Sequence, residues 1–397
     1  MFPNVRSKKT FLYVLAVGSP VAFATWQALL NNFVVEVANF SGREIGILQS
    51  LRELPGFLAF TVVFLLVYFR QQNFSALSLI LLGIGTAITG FFPSFLGLYI
   101  TTVLMSIGFH YLETMQTSLS LQWLTKEEAP RELGKIISIR AASTLGVLTI
   151  IYSVLMLFQT SYIWIYASAG LSAVIIGIFC RFSFPKFVEK VEQRKEIILR
   201  KRYWLYYSLT FLAGARRQIF MVFAGFLLVQ KFGFPLDKMV LLILINSAIT
   251  VWAAPKLGIL IGKIGERRAL TLEYLGLIII FLSYAVVDSL YIALVLYILD
   301  NILFSMSLAI KTYFQKIADP ADIASTAGVS FTINHIASVL LPAVLGLVWI
   351  QNHSTVFVIG AFIAGISLIL SRVIPDRPEQ GIETRLNTNR EKNSEII

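Results

Sequence analysis

The sequence predicts an all-α integral membrane protein with about twelve transmembrane helices in two pseudo-symmetric six-helix bundles. Of its 397 residues, 57% are hydrophobic and only 14% charged, and the mean hydropathy is +0.76. Soluble domains carry roughly 25% charged residues, so the composition is that of a membrane protein. Runs long enough to cross a bilayer, about 20 apolar residues each, lie at 11–37, 43–69, 74–92, 95–124, 132–158, 161–184, 203–231, 236–262, 268–288, 289–317, 320–350 and 354–374. The longest polar connection, 185–202, is charged and near the centre. It divides the chain into an N-terminal bundle (1–184) and a C-terminal bundle (203–374), followed by a polar tail (375–397) expected to be disordered.

The elements follow in order. Arg6, Lys8 and Lys9 precede the first span, which is too long for a signal peptide and lacks a small-residue cleavage site, so it is read as an uncleaved helix. Gln27 lies within it. Ser41 and Glu44 have capping-box spacing before the second span, which carries Arg52, Glu53 and the bend-prone Pro55-Gly56. The third, sixth, ninth and twelfth spans have no ionisable residue near their centres, with Glu273 placed near the start of the ninth. That three-fold rhythm turns every third helix to lipid and the others to a polar interior.

The fourth span carries His110, Glu113 and Thr117 on one stripe, with Gln116 nearby. This set could line a cavity, relay protons or form a buried hydrogen-bonded pair. His-x-x-Glu supplies only two metal ligands, so no metal site is expected. Ala142-Ser-Thr-Leu-Gly-Val147 in the fifth span matches Ala324-Ser-Thr-Ala-Gly-Val329 in the eleventh at five of six residues, a trace of duplication. Aligning them puts Arg140 at the end of its helix, in a gate or snorkelling role. The seventh span holds adjacent Arg216 and Arg217, whose side chains leave the helix about 100° apart. One of them faces a cavity while the other pairs with an acid such as Asp300 or Glu53, or both sit in static ion pairs. The tenth span holds Asp300 and Asn301. The eleventh, opened by the capping pair Asp319-Pro320, holds Asn334 and His335.

The net charge of +11 is topological. Lys126, Arg131, Lys135, the basic run 186–202, Lys263, Arg267, Arg268 and both termini share one side, against Arg43, Lys231 and Lys238 on the other. The positive-inside rule then makes both termini cytoplasmic, in a plasma membrane of the bacterial inner-membrane type, and nucleic acid is not an expected partner. Cys180 is the only cysteine, which excludes an internal disulfide.

Gly258-Ile-Leu-Ile-Gly262-Lys263-Ile-Gly265-Glu-Arg267-Arg268-Ala-Leu270 resembles the G-x-L-x-D-[RK]-x-G-[RK]-[RK]-x-x-L loop of the major facilitator superfamily. Gly262 stands where that family has an acid, the counterpart loop at Arg70-Gln71-Gln72-Asn73 is degenerate, and Leu104 replaces a common arginine. The fifth span lacks the Gly-Pro signature of drug–proton antiporters, although Leu341-Pro342 occurs in the eleventh. The resemblance implies alternating access around a central site. It implies a secondary active transporter, a symporter or antiporter whose partners are a small-molecule substrate, H⁺ and the lipid bilayer, and which works as a monomer.

The expected substrate-binding residues are Gln27, Arg52, His110, Gln116, Arg216, Arg217, Asn301, Asn334 and His335, with Glu53, Glu113 and Asp300 carrying the proton. Gly258, Gly262, Lys263, Gly265, Arg267 and Arg268 form the cytoplasmic gate loop. Arginine forks favour a small anionic or zwitterionic cargo. The alternative is an exporter of amphipathic, drug-like compounds using Trp26, Tyr111, Phe220 and Trp252. A membrane transferase acting through His110 or His335 would need a large loop, donor site or metal cluster, none of which is evident, so neither enzyme activity nor a cofactor is expected.

Overall fold

The structure, a computed structural model, describes residues 6–386 apart from 41 and 159. Ser41 of the expected capping box and residues 387–397 of the tail lie outside the described residues. Among the described residues, twelve helices are long and apolar enough to span a membrane: α1 (Lys8–Glu36), α2 (Ile47–Leu65), α3 (Gln71–Thr89), α4 (Phe95–Trp123), α5 (Ala129–Phe158), α6 (Tyr162–Ser183), α7 (Lys201–Phe232), α8 (Leu241–Ile264), α9 (Glu266–Val286), α10 (Leu290–Ile317), α11 (Pro320–Gln351) and α12 (His353–Ser371). Their outer faces expose large apolar side chains such as Ile150, Phe182, Ile279 and Leu347, which a bilayer would cover.

The helices sort into two compact units. One comprises residues 1–123, 139–197 and 324–332, and the other comprises 124–138, 198–323 and 333–397. The division departs from the sequence halves: the start of α5 belongs to the second unit and the start of α11 to the first. Linker residues 185–197 belong to the first, where Gln72 Nε2 donates to the Pro185 carbonyl at 2.9 Å and accepts at Oε1 from the Phe187 amide at 3.0 Å.

Pairings within the first unit recur in the second, shifted by six helices. Helix α3 packs on α4 and α6, and α1 on α6; likewise α9 packs on α10 and α12, and α7 on α12. Small residues permit the closest of these approaches. A Cβ on Gly170 of α6 would lie 2.3 Å from the Ala87 nitrogen and 2.4 Å from the Gly83 oxygen of α3, which only glycine allows.

The two starts exchanged between units make matching crossings. In the second unit, a Cβ on Gly258 of α8 would lie 2.3 Å from the Pro130 oxygen, and one on Gly134 of α5 would lie 2.5 Å from the Ala254 oxygen. In the first, a Cβ on Gly328 of α11 would meet the Ala59 oxygen at 3.0 Å, and the Phe60 amide donates to Thr332 Oγ1 at 3.0 Å.

The duplicated hexapeptide is out of register with this symmetry. Ala142 is thirteen residues beyond Ala129 at the start of α5, whereas Ala324 is four beyond Pro320. Gly146 meets no atom within 4 Å while its supposed mate Gly328 is tightly packed. The sequence match is therefore not a structural equivalence, and Arg140 moves inward with the corrected register.

Asp319 caps α11 as expected: its Oδ1 accepts from the Ala321 amide at 3.0 Å and Pro320 follows, although the first turn is 3₁₀. The α-helix carrying Pro55 ends at Phe57 and continues as a 3₁₀ turn over Ala59–Thr61. The described part of the tail is folded, contrary to the expected disorder. Arg267 pairs with Asp376, and Tyr313 Oη donates to the Glu383 carbonyl at 2.6 Å.

Candidate functional site

In the first unit, polar side chains meet on α2, α4 and α5. Arg52 and Glu53, both half-buried, form an adjacent pair with Nη2 2.5 Å from Oε1. Ser106, one turn before His110 on α4, donates its hydroxyl to the Arg52 carbonyl. His110 is 3% exposed, and its Nδ1 lies 2.9 Å from both the Ser106 hydroxyl and the Ser106 carbonyl. With that carbonyl as acceptor, Nδ1 carries the proton and Nε2 is left as the basic nitrogen. A carboxylate oxygen of Glu53 lies within 4.8 Å of a His110 ring nitrogen, so α2 and α4 share one polar locus.

A second ion pair lies one turn along α4. Arg140 of α5 grips Glu113 with both guanidinium nitrogens, Nη1 to Oε2 being 2.7 Å, and Nη2 also donates to Gln116 Oε1 at 2.8 Å. The side chains are only 28% and 16% exposed. Gln116 completes the chain by donating to the Leu12 carbonyl of α1 at 3.0 Å. Arg140, expected from sequence in a gate or snorkelling role, is a half-buried partner that joins α5 to α4 and, through Gln116, to α1.

In the second unit the adjacent arginines part company. Arg216 is 2% exposed, and Nη1 donates to Ser367 Oγ on α12. Its Nη2 lies 3.6 Å from Glu273 Oε1, and the guanidinium stacks 4.4 Å from the centre of the Tyr274 ring. Glu273 is completely buried and Asp300 is 2% exposed. The ninth span is therefore not a purely lipid-facing helix, and Glu273 is the acid that sequence reading left out. Arg217 is exposed, with its guanidinium 5.6 Å from the Phe304 ring. Directly after them α7 becomes a π-helix over Ile219–Ala224, an irregularity common at functional sites.

Gln27 is exposed on α1 and His335 is half-buried on α11. Asn301 donates to Thr250 Oγ1 at 3.0 Å, and Asn334 to the Thr210 carbonyl at 3.3 Å beside Gly214. In the loop between α8 and α9, Gly265 has φ +82°, reserved in practice for glycine. Gly262, Lys263 and Arg268 are exposed, Arg267 is engaged by Asp376, and buried Glu266 pairs with Lys316 at 2.6 Å. Of the aromatics considered for an exporter, Trp26 and Phe220 are buried, Tyr111 is hydrogen-bonded to Thr61 at 2.8 Å, and Trp252 is exposed beneath Lys256.

A family model described as Major Facilitator Superfamily matches residues 10–342. None of the curated proteins matches the sequence. Among solved structures, E. coli FucP in the outward conformation is 13% identical with a TM-score of 0.77, covering 92% of this chain and 97% of that one. An outward-facing bacterial homologue of the iron transporter ferroportin is also 13% identical, with a TM-score of 0.76 and coverages of 92% and 98%. The human organic anion transporter MFSD10 is 14% identical, with a TM-score of 0.68 and coverages of 93% and 100%. With twelve spans, six-helix periodicity and a family match over most of its length, the chain belongs to the Major Facilitator Superfamily and is a multi-pass secondary transporter, not an enzyme.

Proposed function

We propose that this transporter is proton-coupled, works by alternating access as a monomer, and carries a small anionic or zwitterionic solute. The observation that carries the reading is the separation of the two arginines on α7: Arg216 is buried inside its unit, while Arg217 is exposed two residues before the π-helical turn. A guanidinium carries a planar fork that suits carboxylate or phosphate oxygens. Arg52 and His110 offer a second polar locus on α2 and α4. Proton coupling rests on buried acids: Asp300 Oδ2 has no hydrogen-bond partner among the described residues. The basic loops support cytoplasmic termini in a bacterial-type inner membrane.

The test is a thermal-shift screen of the purified protein against carboxylates, phosphate esters, amines and cationic amphiphiles at two pH values, since a ligand of the folded state raises apparent stability. Stabilisation by anions that disappears in Arg217→Ala is expected. Stabilisation by cationic amphiphiles alone, insensitive to Arg217→Ala, would replace this reading with the exporter.

A further inference from the structure

The charges buried in the second unit do not balance. Arg216 of α7, Glu273 of α9 and Asp300 of α10 are each at most 2% exposed, and the first two lie 3.6 Å apart. The neighbouring groups are Ser367 of α12, which takes the Arg216 hydrogen bond, and the phenols Tyr274 and Tyr284 of α9 and Tyr297 of α10. The next acid along α9, Glu266, is already answered by Lys316 of α10. Asp300 interacts electrostatically with both Glu273 and Arg216, so with both central carboxyls ionised two negative charges share one guanidinium in a buried interior.

Hydrogen bonding shows the same deficit. Both Glu273 oxygens and Asp300 Oδ2 lack hydrogen-bond partners among the described residues, as do Nε and Nη2 of Arg216. Unpartnered polar atoms are costly in an apolar bundle. A single proton on one carboxyl removes the uncompensated charge and turns one acceptor oxygen into an O–H donor. Arg216 holds Ser367 and the face of Tyr274, and its one positive charge can offset only one of the two carboxylates. A π-helical turn, an irregularity common at functional sites, begins three residues after Arg216.

We propose that Glu273 and Asp300 together bind one exchangeable proton, poised by Arg216, and that this pair is the coupling-proton site. The inference rests on the proton-coupled reading above. The step is a simple protonation: H⁺ joins a carboxylate oxygen from water and returns to water, with no other bond changed. It moves the proton function away from Glu53 and Glu113, whose carboxylates are matched by Arg52 and Arg140. Arg216 becomes a positioning residue for the proton instead of a substrate ligand.

Infrared difference spectroscopy of the purified protein during a pH titration reads the site directly. The wild type is expected to show one carboxylic-acid C=O stretch at neutral pH that is lost as the pH is raised. Glu273→Gln and Asp300→Asn are each expected to lose that band, because one carboxylate facing one guanidinium needs no proton. A wild type without the band, or a band surviving in both variants, overturns the proposal. The wild-type titration requires no variant, so misfolding of either variant leaves the proposal falsifiable. In proteoliposomes holding a pH-sensitive dye, addition of lactate or succinate is expected to move protons with the wild type and not with Glu273→Gln. No proton movement by the wild type counts against proton coupling with these anions while the infrared band still decides the site. A present band with undiminished proton movement in Glu273→Gln overturns the coupling role.

Discussion

At the scale of the residue, the polar core of this transporter is a set of pairings whose members are far apart in sequence. Arg140 and Glu113 are 27 residues apart and join α5 to α4 through a two-pronged contact. Removing one partner strands the other half-buried. Arg140→Ala is expected to lower stability by about 1–3 kcal/mol, less than the roughly 3–5 kcal/mol of a fully buried pair because both side chains keep some exposure. A double-mutant cycle with Glu113→Gln, read by thermal unfolding, should return a coupling of at least about 1 kcal/mol. Arg140→Lys keeps the charge but loses the fork and should recover only part of the loss.

Outside the spans, Lys231 donates to Asp288 at 2.8 Å, and this hydrogen bond, with the lysine's charge, holds the Asp288 carboxyl below its ordinary range. A depressed acid stabilises the fold above its unfolded value, and that contribution is lost as the pH falls through the folded value. Asp288→Asn should therefore flatten the acid-side decline of the unfolding temperature, with a small amplitude because the carboxylate is exposed.

At the scale of the element, glycine contacts separate packed from open helix faces. Gly170→Ala places a methyl against the α3 backbone and should cost about 1–3 kcal/mol in thermal unfolding. Gly146→Ala enters open space and should be neutral or stabilising by up to about 1 kcal/mol, since alanine is the better helix former. The helices themselves were legible: each is a long apolar run, and Asp319-Pro320 announces its own cap. Mid-span ionisable residues were legible for the same reason, that each is an exception in an apolar stretch. Partner choice was not, because hydropathy carries no information about which helix lies beside which. The sequence offers Asp300 or Glu53 as partner for one of the two arginines, whereas Glu273 contacts Arg216 from a helix sorted as lipid-facing. The π-helical turn had no sequence signal, and the hexapeptide match misled because small residues recur in membrane helices at places that are not equivalent.

At the scale of the whole molecule, pairings repeated after six helices give each unit its own core, and the described tail adds polar ties to the second. Glu383 lies 3.7 Å from Arg202 of α7, its carbonyl accepts from Tyr313 of α10, and Asp376 pairs with Arg267 of α9. A chain ending at Pro375 should unfold a few degrees below the full-length protein, and the swap of Arg267→Asp with Asp376→Arg should unfold higher than either single change. These ties were invisible to composition, which sees only a polar, charged tail.

Proton-coupled anion transport is most directly tested by substrate-driven proton flux in proteoliposomes of the purified protein, screened with small organic carboxylates and phosphate esters. The account predicts that an anion which stabilises the protein also moves protons across the vesicle membrane, and that Arg217→Ala abolishes both effects. An anion transported at an undiminished rate with every ion gradient collapsed and no accompanying proton movement would contradict it.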